Sequence, residues 1–205
     1  MNKSRLEAFS DGVFAIIITV LVLELEAPKT DDLSDLIAMW PKVLSYMLSF
    51  VNIGIYWINH HHLLSAVKRV NGIVLWANLH LCFWLSLIPL TTEWLGTHSF
   101  SSGPMILYSL DLFMCGIAYS ILQSQIIKLE GSDSVVRQAV GRDLKGKISL
   151  AGYMIAMILA ITAPPWVAGL TLSAIACVWL IPDSRIEKLH SRLERTTTSS
   201  AQSRD

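Results

Sequence analysis

Three side chains capable of polar chemistry stand at the mouth of a membrane-type run. Arg5, Ser10 and Asp11 lie within one or two helical turns of Gly12-Val13-Phe14-Ala15-Ile16-Ile17-Ile18-Thr19-Val20-Leu21-Val22-Leu23. Charges beside such a run are costly unless they are paired inside protein or wetted by a cavity, so they mark a functional helix by default. A second concentration of chemistry is His60-His61-His62. Three consecutive histidines on a helix point about 100° apart and cannot all reach one ion. Helical zinc pairs use i, i+4 spacing, and Ile58 and Ala66 occupy the positions four before and four after His62. No metal site and no cofactor is expected. Histidine boxes of a di-iron enzyme, a mid-span lysine for retinal, and serine-hydrolase and phosphate-loop motifs are missing, so an enzyme is not expected.

The elements that must position these residues follow from composition. The 205-residue chain is 53% hydrophobic and 16% charged, with a mean hydropathy of +0.50. Soluble domains carry about 25% charged residues. The reading is an all-α integral membrane protein in a lipid bilayer. A formal net charge of +0 gives no reason to expect a nucleic-acid partner. Cys82, Cys115 and Cys177 lie in apolar segments without CxxC spacing and read as buried or lipid-facing thiols. Glu7 and Asp11 interrupt the approach to the first apolar run, and no small-x-small cleavage site follows it, so the run is expected to be a mature helix.

A helix crosses a bilayer with about 20 mostly apolar residues. Six such segments are expected, at 6–26, 40–65, 72–95, 104–126, 147–164 and 166–182, with Pro164-Pro165 separating the last two. With the N-terminus inside, fourteen of the sixteen Lys and Arg residues fall on the inner side and only Lys29 and Lys42 on the outer. The positive-inside rule then gives both termini in the cytoplasm. Residues 1–182 form one transmembrane domain on this reading. Residues 183–205 form a cytoplasmic tail that ends in a polar, disorder-prone stretch.

The first span has two faces. At about 100° per residue, Gly12, Ile16, Thr19, Val20 and Leu23 share one side, while Ser10 and Asp11 lie more than about 90° away from Ile16. The polar side needs donors at the same depth. Span two offers Trp57, Asn59, His60, His61 and His62, and span three offers Asn71, Trp76, Asn78 and His80. A network among them would fix the rotation of span one about its own axis. Glu24 and Glu93 are expected near the outer water, whereas Asp111 falls inside span four, either paired within the bundle or on an ion or proton route.

The segment Arg5-x-x-x-Phe9-Ser10-Asp11 resembles the RxxxFSD signature of the transmembrane-protein-175 potassium channels, in their prokaryotic branch. The ending Trp57-x-x-His60-His61 of span two is similar to that family as well. The resemblance implies a homotetramer of six-span subunits in the cell membrane, with span one of each subunit lining a central pore for potassium ions. It implies an apolar constriction rather than a carbonyl filter, and the chain has no TVGYG run. Carried over, Ile16 is the narrowest ring, Thr19 a polar ring, and Val20 and Leu23 further apolar layers. The family's structural network maps onto Arg5, Phe9, Ser10 and Asp11. Its partners are expected among Asn59, His60 and His61 on span two and Trp76, Asn78 and His80 on span three.

Two other classes compete with a moderately potassium-selective channel. One is a proton-conducting or proton-coupled carrier that uses Asp111 and the histidines. The other is a membrane assembly protein with no pathway, which would be indifferent to polarity at Ile16.

Overall fold

The computed structural model describes residues 2–28, 31–131, 137 and 143–180, and the regular structure among them is entirely α-helical. Helix α1 spans Lys3–Leu23, α2 Leu33–Ala38, α3 Trp40–Ser65, α4 Gly72–Leu85, α5 Ile88–Thr97, α6 Ser102–Glu130, α7 Leu144–Thr162 and α8 Pro165–Leu180. The local chemistry sets these limits. Asn2, Asp32, Asn71 and Asp143 accept hydrogen bonds from backbone N–H groups of the first turns they precede, answering donors that have no intrahelical partner. Backbone and hydroxyl hydrogen bonds from Ser34 hold the Asp32 carboxyl below the ordinary aspartate range. Gly131, at φ +95°, ends α6 in a conformation that favours glycine.

Each expected segment coincides with helix over its described residues; 40–65 keeps both its ends and the others shift. Helix α1 starts three residues earlier than the expected 6–26, at its Asn2 cap, and leaves helical geometry ahead of Pro28. The expected continuous span 72–95 is broken between Leu85 and Ile88. Pro89, in the first turn of α5, has no N–H to continue the ladder and crowds the preceding turn. Helix α6 overruns the expected 104–126 at both ends and stops only at Gly131. The short helix α2 was not expected. The tail 183–205 and most of the segment 132–142 lie outside the described residues.

Among the described residues, four segments are long and apolar enough to cross a membrane: α1, α4 with α5, α6, and α7. Helix α3 has the length, at 26 residues, but its polar content lowers its hydropathy. Helix α8, with 16 residues, is about 24 Å long, short of the roughly 30 Å hydrocarbon core.

Helix α1 packs on α3, α4 and α5, while α6 is clasped by α4, α5, α7 and α8. Phe14, Ile53, Leu81, Leu85, Tyr108 and Leu112 are among the side chains sealed in the core. Helices α3 and α5 approach closely at Gly96, where a Cβ would stand 2.5 Å from Ser45 Oγ and 2.8 Å from the Lys42 Cα. Helix α1 therefore lies on one flank of the subunit and the α7–α8 pair on the other.

Candidate functional site

The site is built on the two faces of α1. Leu6, Ser10, Phe14, Ile17 and Leu21 recur every three or four residues and are buried. That spacing is one face of a helix, and it presses on α3, α4 and α5. Gly12, Ile16, Thr19, Val20 and Leu23 are exposed, with Ile16 at 63% and Leu23 at 77%. Thr19 Oγ1 donates to the Ile16 carbonyl at 2.8 Å. The hydroxyl is thereby held against its own helix, with its oxygen lone pairs still available on the exposed side.

The buried face is pinned by polar bonds. Asn78 Nδ2 of α4 donates to Ser10 Oγ at 3.0 Å, and Asn78 Oδ1 meets His60 Nε2 of α3 at 2.7 Å. A carbonyl oxygen only accepts, so Nε2 is the protonated nitrogen of that ring. The Phe14 ring tilts against the His60 imidazole at 5.6 Å between centroids. Ser10, Asn78 and His60 are all buried, and three helices are tied at one level. One residue further along α1, Trp57 Nε1 donates to Asp11 Oδ1 at 3.0 Å on a more exposed edge. Lys3 Nζ donates to the Ser65 carbonyl at 2.8 Å and closes the N-terminal end of α1 onto the C-terminal end of α3.

Not every expected member of the network joins it. Arg5 and Phe9 are exposed, and the Arg5 side chain makes no hydrogen bond or ion pair among the described residues. Phe9 and Arg5 stand seven and eleven residues before Ile16, within about 20° of it around the helix. Both therefore continue the exposed stripe of α1. The Asn59 side chain donates to the Ile55 carbonyl of its own helix at 2.7 Å, and the Asn59 backbone carbonyl accepts from the Tyr119 hydroxyl at 3.1 Å. His61 is exposed and contacts the rings of Trp57 and His62. Trp76 is 75% exposed, and His80 accepts from Trp84 Nε1 within α4. Among the described residues, no three His, Cys, Asp or Glu side chains converge on a metal-sized site.

A second polar cluster escaped the sequence reading. Ser49 Oγ lies 2.6 Å from Thr92 Oγ1 and 2.9 Å from the Tyr108 hydroxyl, joining α3, α5 and α6. Beside it, Thr91 Oγ1 lies 3.1 Å from Asp111 Oδ2. Asp111 is thus paired within the bundle. Glu24 is exposed, and Glu93 accepts from Thr97 Oγ1 at 2.8 Å.

Comparison with known proteins bears on this arrangement. Residues 5–89 match the family model described as endosomal/lysosomal potassium channel TMEM175. A Chryseobacterium sp. (strain P1-3) protein named a potassium channel is 48% identical over 188 residues, covering 92% of this chain and 97% of that one. The crystal structure of a lysosomal potassium-selective channel TMEM175 homologue from Chamaesiphon minutus superposes with a TM-score of 0.77 at 26% identity, covering 88% of this chain and 97% of that one. The human protein named endosomal/lysosomal proton channel TMEM175 is 36% identical over 81 residues, which are 34% of this chain and 16% of the human one. Similarity of this degree along nearly the whole of both bacterial chains, over a fold with several membrane-length helices, makes this chain a multi-pass membrane protein that belongs to the TMEM175 family.

Proposed function

We propose that four copies of this chain form a cation channel of the cell membrane, moderately selective for potassium, with α1 of each subunit lining a central pore. Each subunit crosses the membrane six times, with α4 and α5 as one span and both termini in the cytoplasm. The observation that carries the reading is the division of α1. One face is locked to α3 and α4 by Ser10, Asn78 and His60, and the opposite face carries Gly12, Ile16, Thr19 and Leu23 uncovered. The names of the bacterial relatives support potassium as the permeant ion.

Four Ile16 side chains around an axis form an apolar constriction, which blocks by dewetting when narrow. When wider, it passes the cation that sheds water at the lower cost. Potassium is larger and less strongly hydrated than sodium, so it passes more readily. With no carbonyls to replace the lost shell, the preference stays moderate. Thr19 supplies a polar ring one turn further along, and Val20 and Leu23 extend the apolar lining.

The test is potassium against sodium flux in liposomes that hold only the purified protein, with Ile16→Asn beside it. Potassium preference that is lost in the variant supports the assignment, and an unchanged preference overturns the filter. The name of the human relative favours a second reading, proton permeation along the same path. Acidification of potassium-free liposomes under an imposed proton gradient tests it.

A further inference from the structure

Asp111 sits nine residues into α6, roughly 13 Å from its start, and is 3% exposed. Its Oδ1 atom is buried without a hydrogen-bond partner among the described residues. No Lys, Arg or His lies within ion-pair distance of it among those residues. The ionisable side chains that face it are Tyr56 from α3 and Tyr108 and Cys115 from α6, with Tyr153 of α7 behind Tyr56. Helix α5 presents Thr91, and among the described residues no charged side chain faces it from α4, α7 or α8.

Donor accounting around Thr91 decides between two protonation states. Thr91 Oγ1 stands 3.1 Å from the Ile88 carbonyl and 3.1 Å from Asp111 Oδ2. A hydroxyl has one proton to give. With an ionised carboxylate, Thr91 must turn that proton to Oδ2, and Oδ1 keeps buried negative charge that nothing answers. Such a group is among the costliest a protein interior can hold. With a protonated carboxyl, Oδ2–H donates to Thr91 Oγ1, whose own proton goes to the Ile88 carbonyl, and Oδ1 is a neutral carbonyl oxygen. Both short distances are then used.

We propose that Asp111 is a proton-binding site inside each subunit, apart from the pore, occupied at neutral pH and joining α5 to α6 through Thr91. Tyr56, Asn52, Gly116 and Tyr153 line a cavity of about 40 Å³, room enough for water, and Gly116 is five residues from Asp111 on the same helix. Tyr56 lines that cavity, and its hydroxyl donates to the carbonyl of Leu112, the residue after Asp111, at 3.4 Å. Helix α5 also packs on α1, so the bound proton supports the element behind the pore-lining helix.

Infrared difference spectroscopy on the full chain in liposomes at neutral pH tests this without reference to flux. The carbonyl band of a carboxylic acid is expected in the parent, absent in Asp111→Asn and displaced in Asp111→Glu. A carbonyl region identical in the parent and Asp111→Asn overturns the proposal. Where Asp111→Asn does not assemble, the Glu variant decides: a displaced band supports the site and an unmoved one overturns it. Failure of the pore assignment would leave this result standing.

Discussion

Asn78 of α4 holds Ser10 of α1 through its amide nitrogen, at 3.0 Å, while its carbonyl oxygen accepts a hydrogen bond from the ring N–H of His60 of α3. One side chain thereby fixes the relative rotation of three helices. The pairing spans 68 residues of chain, so it is a tertiary lock rather than a local cap. Asn78→Ala leaves Ser10 and His60 buried without a partner. Each orphaned group costs about 1–3 kcal/mol, so the variant is expected to lose about 2 kcal/mol or more. Trp76→Phe, two positions away on the exposed side of α4, is expected to stay within about 0.5 kcal/mol. Thermal unfolding of both in detergent checks the contrast.

The bond from Trp57 to Asp11 is weaker because it lies at an exposed edge. Solvent competes for both partners there, and Trp57→Phe is expected to cost about 1 kcal/mol or less. Asp11→Asn keeps the accepting oxygen and is expected to assemble better than Asp11→Ala. Size-exclusion profiles of the three variants, read with their melting temperatures, check the order.

The division of α1 into faces is legible in the sequence because a 3.6-residue period separates Ser10 and Phe14 from Gly12, Ile16 and Leu23 without any knowledge of neighbours. Depth also brings His60 and Asn78 to the level of Ser10. Rotation about the helix axis is where that reasoning stops. A residue one position over points about 100° away, so Asn59, His61, Trp76 and His80 share the depth and miss the network. Arg5 and Phe9 belong to the network only by resemblance, and their own register puts them on the Ile16 side. The break between α4 and α5 was signalled by Pro89, but a hydropathy count runs straight through it. Ser49, Thr92 and Tyr108 carry no signal at all, since single hydroxyls in apolar helices have no pattern until three helices bring them together.

Gly96 and Gly12 are expected to respond in opposite ways to the same substitution. At Gly96 a methyl group meets Lys42 backbone at 2.8 Å, and a backbone neighbour cannot rotate aside. Gly96→Ala is expected to cost about 1–3 kcal/mol by forcing α3 and α5 apart. At Gly12 a Cβ meets nothing within 4 Å in the subunit. Removing a helical glycine there is expected to add about 0.5–1 kcal/mol of helix stability. Melting temperatures of the two variants give the answer directly, and a loss of flux in a stable Gly12→Ala protein would place that position against the permeation path.

Thr19 gives the sharpest test of the pore because its hydroxyl is the only polar side-chain group between Gly12 and Leu23. It already donates its proton to the Ile16 carbonyl, so what it can offer an ion is lone pairs. Thr19→Val has nearly the same shape and removes those lone pairs. The proposed lining then becomes unbroken hydrocarbon from Ile16 to Leu23, and a longer apolar stretch is harder to keep wet. Potassium flux is expected to fall severalfold, with the fold and assembly intact because Thr19 is exposed in the subunit. Thr19→Ser keeps the hydroxyl and should restore most of the flux. Ile16→Asn acts in the other direction, wetting the constriction and raising sodium permeation relative to potassium. If Thr19→Val and Thr19→Ser conduct alike, the hydroxyl does not meet the ions, and the polar ring must be sought elsewhere on α1.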